Sequence, residues 1–157
     1  MVSAKPSVVV AADEGGALIE AWTASRGHTY TVYRDTSLYD DKGTPHGIED
    51  GTIEDAIALA DFYFPQFLDR WDQNLADYYI TLNEPAAHNT GVMPLYVAYE
   101  RRMMELARRN GLRLCILNLA WATPDLEVWK WYYAPLIKEA FSGGHVYGRH
   151  AYGELGS

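Results

Sequence analysis

The sequence predicts an α/β chain of five parallel strands and about four helices, arranged either as an arc of a (β/α)8 barrel or as an open doubly wound sheet. Three observations predict it. Extended and helical patterns alternate along all 157 residues, and strands separated by helices pair parallel. Strand candidates such as Val8, Val9, Val10 and Leu114, Cys115, Ile116, Leu117 are continuous apolar runs, as in strands covered on both faces. Polar and proton-transferring residues collect where these strands end, and function in parallel sheets gathers at that side.

Taken in order, the first strand is the β-branched run Ser7 to Ala12, bounded by Pro6 and by Asp13, Glu14, Gly15, Gly16. Ala17 to Ala24 reads as a short helix and Thr29 to Tyr33 as the second strand. A polar loop follows from Asp35 to Gly51. Thr52 with Asp55 three residues on resembles a capping box and opens a long helix to about Asn74, which Pro65 should kink or split. Asp77 to Leu82 is the third strand. Pro94, at a first-helical position, begins a helix that runs to Asn110 and stops at Gly111. Its positions Leu95, Tyr99, Met103 and Leu106 follow helical spacing and read as core. Leu112 to Leu117 is the fourth strand, Thr123 and Pro124 start a helix ending near Ser142, and Val146 to Tyr152 is the fifth strand.

Length and composition set limits. The chain suffices for one domain spanning residues 1–157, yet a complete eight-fold barrel takes about 250 residues. A formal net charge of -8 argues against a nucleic-acid partner. Arg101, Arg102, Arg108 and Arg109 read as one face and the end of a helix rather than a phosphate site. The single cysteine, Cys115, lies in an apolar run and reads as a small buried hydrophobe. No run of about 18 apolar residues suggests a membrane span. Met1 to Pro6 lacks signal-peptide order, so the chain reads as soluble, in an unassigned compartment.

The strand ends read Asp13 and Glu14, then Arg34 and Asp35, Asn83 and Glu84, Asn118 and Trp121, and His150 and Tyr152. The sharpest element is Leu82, Asn83, Glu84, Pro85 closing the third strand. Here the sequence resembles the clan of retaining glycoside hydrolases with a (β/α)8 barrel, in which the acid/base glutamate follows an asparagine, often with proline next, at the end of the fourth barrel strand. Asn118, Trp121, His150 and Tyr152 extend the resemblance to the next two strands. It implies that Glu84 is a catalytic acid/base, partly buried so that its carboxyl can hold a proton. Asn83, Arg34, Asn118, Trp121, His150 and Tyr152 would bind an oligo- or polysaccharide, with Trp121 stacking on a sugar face. It also implies a register in which the five strands are the second to sixth of a barrel, with the first and the last two missing. The clan's nucleophilic glutamate ends the seventh strand and is absent here, which argues against turnover by this chain alone. An incomplete arc has unpaired sheet edges and is expected to self-associate.

Other constellations read more plainly. Glu154, then Asp13 and Asp35, are the internal alternatives for a second carboxylate. Asp40, Asp41, His46, Glu49 and Asp50 crowd one loop without a metal-ligand spacing, so no metal is assigned. His88 and Asn89 either line a cleft or are plain loop. Trp129, Trp131, Tyr132 and Tyr133 read as helix packing. No phosphate-binding glycine motif occurs, so no cofactor is assigned. Two other functions remain open: a carbohydrate-binding or structural barrel-derived module without turnover, and a small open-sheet α/β domain with an unrelated ligand.

Overall fold

The computed structural model describes residues 8–13, 15–25, 27–39, 43–71, 76–85, 90–120 and 126–149. Strands β1 (Val8–Ala12), β2 (Tyr30–Arg34), β3 (Tyr78–Ile80), β4 (Leu114–Leu119) and β5 (Val146–Arg149) pair in sequential order, each neighbour parallel. They form a curled, open half-barrel sheet. The connecting helices are α1 (Gly16–Ser25), α2 (Ile53–Trp71) and α3 (Met93–Arg109). A last helical stretch comprises α4 (Leu126–Val128), a π turn (Trp129–Tyr133) and α5 (Ala134–Ser142).

Side-chain alternation assigns the two faces of this sheet to different environments. Tyr33, Tyr79, Leu114 and Ile116 join the main core with residues of α1, α2, α3 and α5. Val32, Ile80 and Cys115 form a second, small cluster on the opposite face, flanked by Tyr78 and Val146, and no helix residue enters it. The helices therefore cover one face, and sequential strand order with one-sided helices is the winding of a barrel arc. On the uncovered face Val8, Val10 and Tyr30 remain 52%, 59% and 55% exposed. Among the described residues no helix is long and apolar enough to cross a membrane.

Local chemistry explains the helices. The Asp55 carboxylate accepts the Thr52 backbone N–H at 2.8 Å while Thr52 Oγ1 accepts the Asp55 N–H at 3.2 Å, a reciprocal cap on α2. The Thr52 N–H and hydroxyl, both donating to its carboxylate, hold Asp55 below its usual range. Of the kink or split expected at Pro65, the split does not occur, and α2 continues to Trp71. Pro65 is exposed, so the carbonyl left without its N–H lies on the wet side of the helix. The second half of α2 buries Phe67 and Trp71, and Trp71 stacks on Tyr79 at 4.8 Å between centroids. Pro135, lacking an N–H, follows the π turn, where Ala134 donates five residues back to Trp129.

The arginines of α3 tie helices together. Arg102 pairs with Asp61 of α2 at 2.7 Å and Arg101 with Glu139 of α5 at 2.8 Å. Cys115 is buried, which pushes its thiol up to about 12. Trp129, Tyr132 and Tyr133 pack as expected, whereas Trp131 is 63% exposed and donates its indole N–H to Glu127 at 2.8 Å.

At the N-terminal end of the sheet one carboxylate joins three strands. Asp77 accepts the Thr31 N–H and hydroxyl at 2.9 and 3.0 Å and pairs with Arg113 at 3.3 Å.

Candidate functional site

The C-terminal end of the sheet is built differently. Four non-glycine residues have positive φ among the described residues: Asp13 (61°), Glu84 (50°), Leu117 (66°) and Asn118 (35°). All four lie at or near the C-terminal end of a strand. Such backbone costs of the order of 1 kcal/mol or more per residue and persists only where surroundings enforce it. Strain therefore gathers at one end of the sheet.

Strand pairing gives way to specific bonds here, which explains why β3 stops at Ile80 instead of the expected Leu82. The Asn83 N–H donates to the Gly43 carbonyl at 2.9 Å and the Glu84 N–H to the Asn118 carbonyl at 3.0 Å. In β4 the register shifts between Ile116 and Leu119. The Leu117 N–H there turns to a side chain, Glu100 Oε1, at 2.8 Å.

The structure brings three of the expected residues together. Asn118, 7% exposed, donates its side-chain amide to Asn83 Oδ1 at 2.7 Å, beside the Asn83–Glu84 step. Two glycines make this approach possible. A Cβ on Gly43 (φ 71°) would lie 2.7 Å from Asn83 Cβ, and one on Gly148 would lie 2.6 Å from Asn118 Oδ1. Arg34, Asn83, Thr36, Tyr39 and Thr81 line a polar cleft of about 260 Å3 next to this pair. A larger groove of about 990 Å3 runs between α2, α3 and α5 and contains no residue of the strand ends. The site is assigned to the smaller cleft because polar residues of two strand ends line it, with Glu84 and Asn118 adjoining Asn83 outside its wall.

Glu84 departs from expectation. It is exposed, so the partial burial foreseen for its carboxyl is not supplied by the described chain. Its backbone is left-handed there, φ 50°, past the end of β3.

The described internal alternatives for a second carboxylate are both engaged by neighbours, although Asp35 also lines the cleft. Asp13 accepts the Thr36 N–H at 2.7 Å and closes the loops after β1 and β2. Asp35, 5% exposed, accepts the Ser37 N–H at 2.9 Å and pairs with Arg70 at 3.2 Å. Trp121, His150, Tyr152, Glu154, His88, Asn89, Asp40 and Asp41 lie outside the described residues. Glu49 reaches away to the Tyr96 hydroxyl, and among the described residues no group of three or more potential ligands could hold a metal.

Sequence reasoning missed Glu100. It is wholly buried on α3, and burial pushes its carboxyl up to about 7, opposed by hydrogen bonds from Thr81 and the Leu117 backbone. A signal was present: Glu100 falls on the apolar stripe Met93, Tyr96, Met103 and Ala107, where a charge is out of place. Compared with protein-family models, curated proteins and solved structures, the chain has no match.

Proposed function

We propose that the strand-end cleft binds an oligo- or polysaccharide and that Glu84 is the general acid/base of a glycan-cleaving site. The supporting observation is the convergence of the Asn83–Glu84 step, the Asn118 amide bonded to Asn83 and a polar cleft at one strained sheet end. Side-chain amides are neutral groups that both donate to and accept from sugar hydroxyls. In the reaction Glu84 protonates the glycosidic oxygen as that bond to the anomeric carbon breaks, while a carboxylate forms a new bond to the same carbon. Glu84, now ionised, then takes a proton from the water that displaces the carboxylate. Asp13 is held by Thr36, and Asp35, which lines the cleft, by Ser37 and Arg70, so a carboxylate outside the described residues is favoured as the attacking group. Glu154 is one source, and a later strand of a longer polypeptide is the other.

The exposure of Glu84 favours a second reading for the chain by itself: carbohydrate binding without turnover. Both readings share the cleft, so binding is the test. Titrating the isotopically labelled chain with cellotetraose, xylotetraose and chitotetraose should shift the Asn83 and Asn118 side-chain amide signals saturably. Asn83→Ala should weaken that binding by about three- to tenfold, the worth of one hydrogen bond. Glu84→Gln should leave binding intact while abolishing any hydrolysis. Were none of the three sugars to move either amide, the glycan reading would be refuted.

A further inference from the structure

Leu117 and Asn118 pose a physical problem. Both hold positive φ, neither is glycine, and they are 0% and 7% exposed, so water does not stabilise their backbone. Something buried must hold them. Glu100 Oε1 accepts the Leu117 N–H at 2.8 Å, and the Thr81 hydroxyl lies 2.8 and 2.7 Å from the two carboxyl oxygens. Thr81 directly follows β3, whose end carries Asn83 and Glu84, while Leu117 belongs to β4 and precedes Asn118. One carboxyl thus links the two strand ends from behind the sheet.

We infer that Glu100 is a positioning residue, holding the left-handed Leu117–Asn118 pair so that the Asn118 amide meets Asn83 and the Asn118 carbonyl accepts the Glu84 N–H. The inference rests on the glycan reading for its purpose and on the hydrogen bonds alone for its geometry. A main-chain N–H fixed to a side chain leaves the strand ladder, and the chain beyond it is redirected. Removing the carboxyl would return Leu117 N–H to an unsatisfied, buried state, which costs about 1–3 kcal/mol and favours reversion to regular strand backbone. Asn118 would then turn toward the opposite face, because strand side chains alternate.

The same geometry makes the strand ends sensitive to pH. No cation among the described residues pairs with Glu100. The titratable groups around it are Tyr39 in the loop after β2, Tyr99 on α3, Cys115 on β4 and Tyr133 in the π turn. Burial raises all four, so they stay neutral while Glu100 titrates. The neutral acid donates to Thr81 Oγ1 and accepts from Leu117. The carboxylate instead draws the Thr81 hydroxyl round as a donor.

Nuclear magnetic resonance on the labelled chain tests this. In the wild type the Leu117 amide and the Asn118 side-chain amide should titrate together, with a midpoint near 7. Glu100→Gln should preserve both signals near their wild-type positions and abolish the titration. Glu100→Leu should move the Asn83 and Asn118 side-chain signals, speed Leu117 hydrogen exchange and weaken tetrasaccharide binding roughly tenfold or more. Unmoved Asn83 and Asn118 signals in Glu100→Leu would overturn the inference. If that variant fails to fold, a titration that persists in Glu100→Gln overturns it instead. A wild type that binds no sugar yet shows the expected amide behaviour refutes the glycan reading and supports the role of Glu100.

Discussion

Glu100 also makes a thermodynamic prediction. Its carboxyl has an ordinary value of 4.5 and stands at about 7 in the folded chain. Between those values the unfolded chain loses a proton that the folded chain keeps, so rising pH favours unfolding. The stability contributed by the neutral acid is complete below 4.5 and is lost progressively up to about 7. At about 1.4 kcal/mol per pH unit the loss is roughly 3 kcal/mol, undiminished by solvent because the side chain is wholly buried. Glu100→Gln carries no titrating proton and retains an oxygen for Leu117. Urea unfolding of both proteins at intervals from pH 4.5 to 8 isolates this term, since other titrating groups cancel in the difference. The stability of the wild type should fall relative to Glu100→Gln by roughly 3 kcal/mol across that range. Parallel curves would mean that Glu100 is ionised throughout and that its surroundings solvate charge far better than hydroxyls and hydrocarbon should.

Two further outcomes follow from packing. Gly148→Ala would set a Cβ 3.1 Å from Asn118 Cα and closer still to its side-chain oxygen, so β4 and β5 must separate. A loss of about 1–3 kcal/mol in thermal or urea unfolding is expected, and an unchanged midpoint would contradict the tight strand approach. The uncovered sheet face, with Val8, Val10 and Tyr30 more than half exposed, should drive self-association that sedimentation velocity detects as a concentration-dependent coefficient. Val10→Lys should suppress it. An ideal monomer at all concentrations in the wild type would contradict this.

The architecture was legible because it is written in periodicity. The alternation of Val8–Val10, Tyr30–Tyr33 and Leu114–Leu117 with capped helices dictates parallel strands, and Thr52 with Asp55 marks the start of α2 as read. Interruptions were harder to read. Pro65 acts on one hydrogen bond, and whether that bond faces water is decided by packing. The strand-end site was half legible. Asn83, Glu84 and Asn118 announce themselves by residue type at strand termini. Nothing in a leucine says that residue 117 is left-handed, because the cause is a carboxylate seventeen positions earlier on another element. Gly148 in mid-strand was the one local hint of a close approach.

The Asp77 rivet at the opposite end of the sheet has an engineering consequence. By joining Thr31 of β2 and Arg113 before β4 to the start of β3, which lies between them, it locks their alignment at a distance from the cleft. Alignment and chemistry are thereby held by separate sets of atoms. Loops above the cleft could be exchanged or diversified while the strands stay in step.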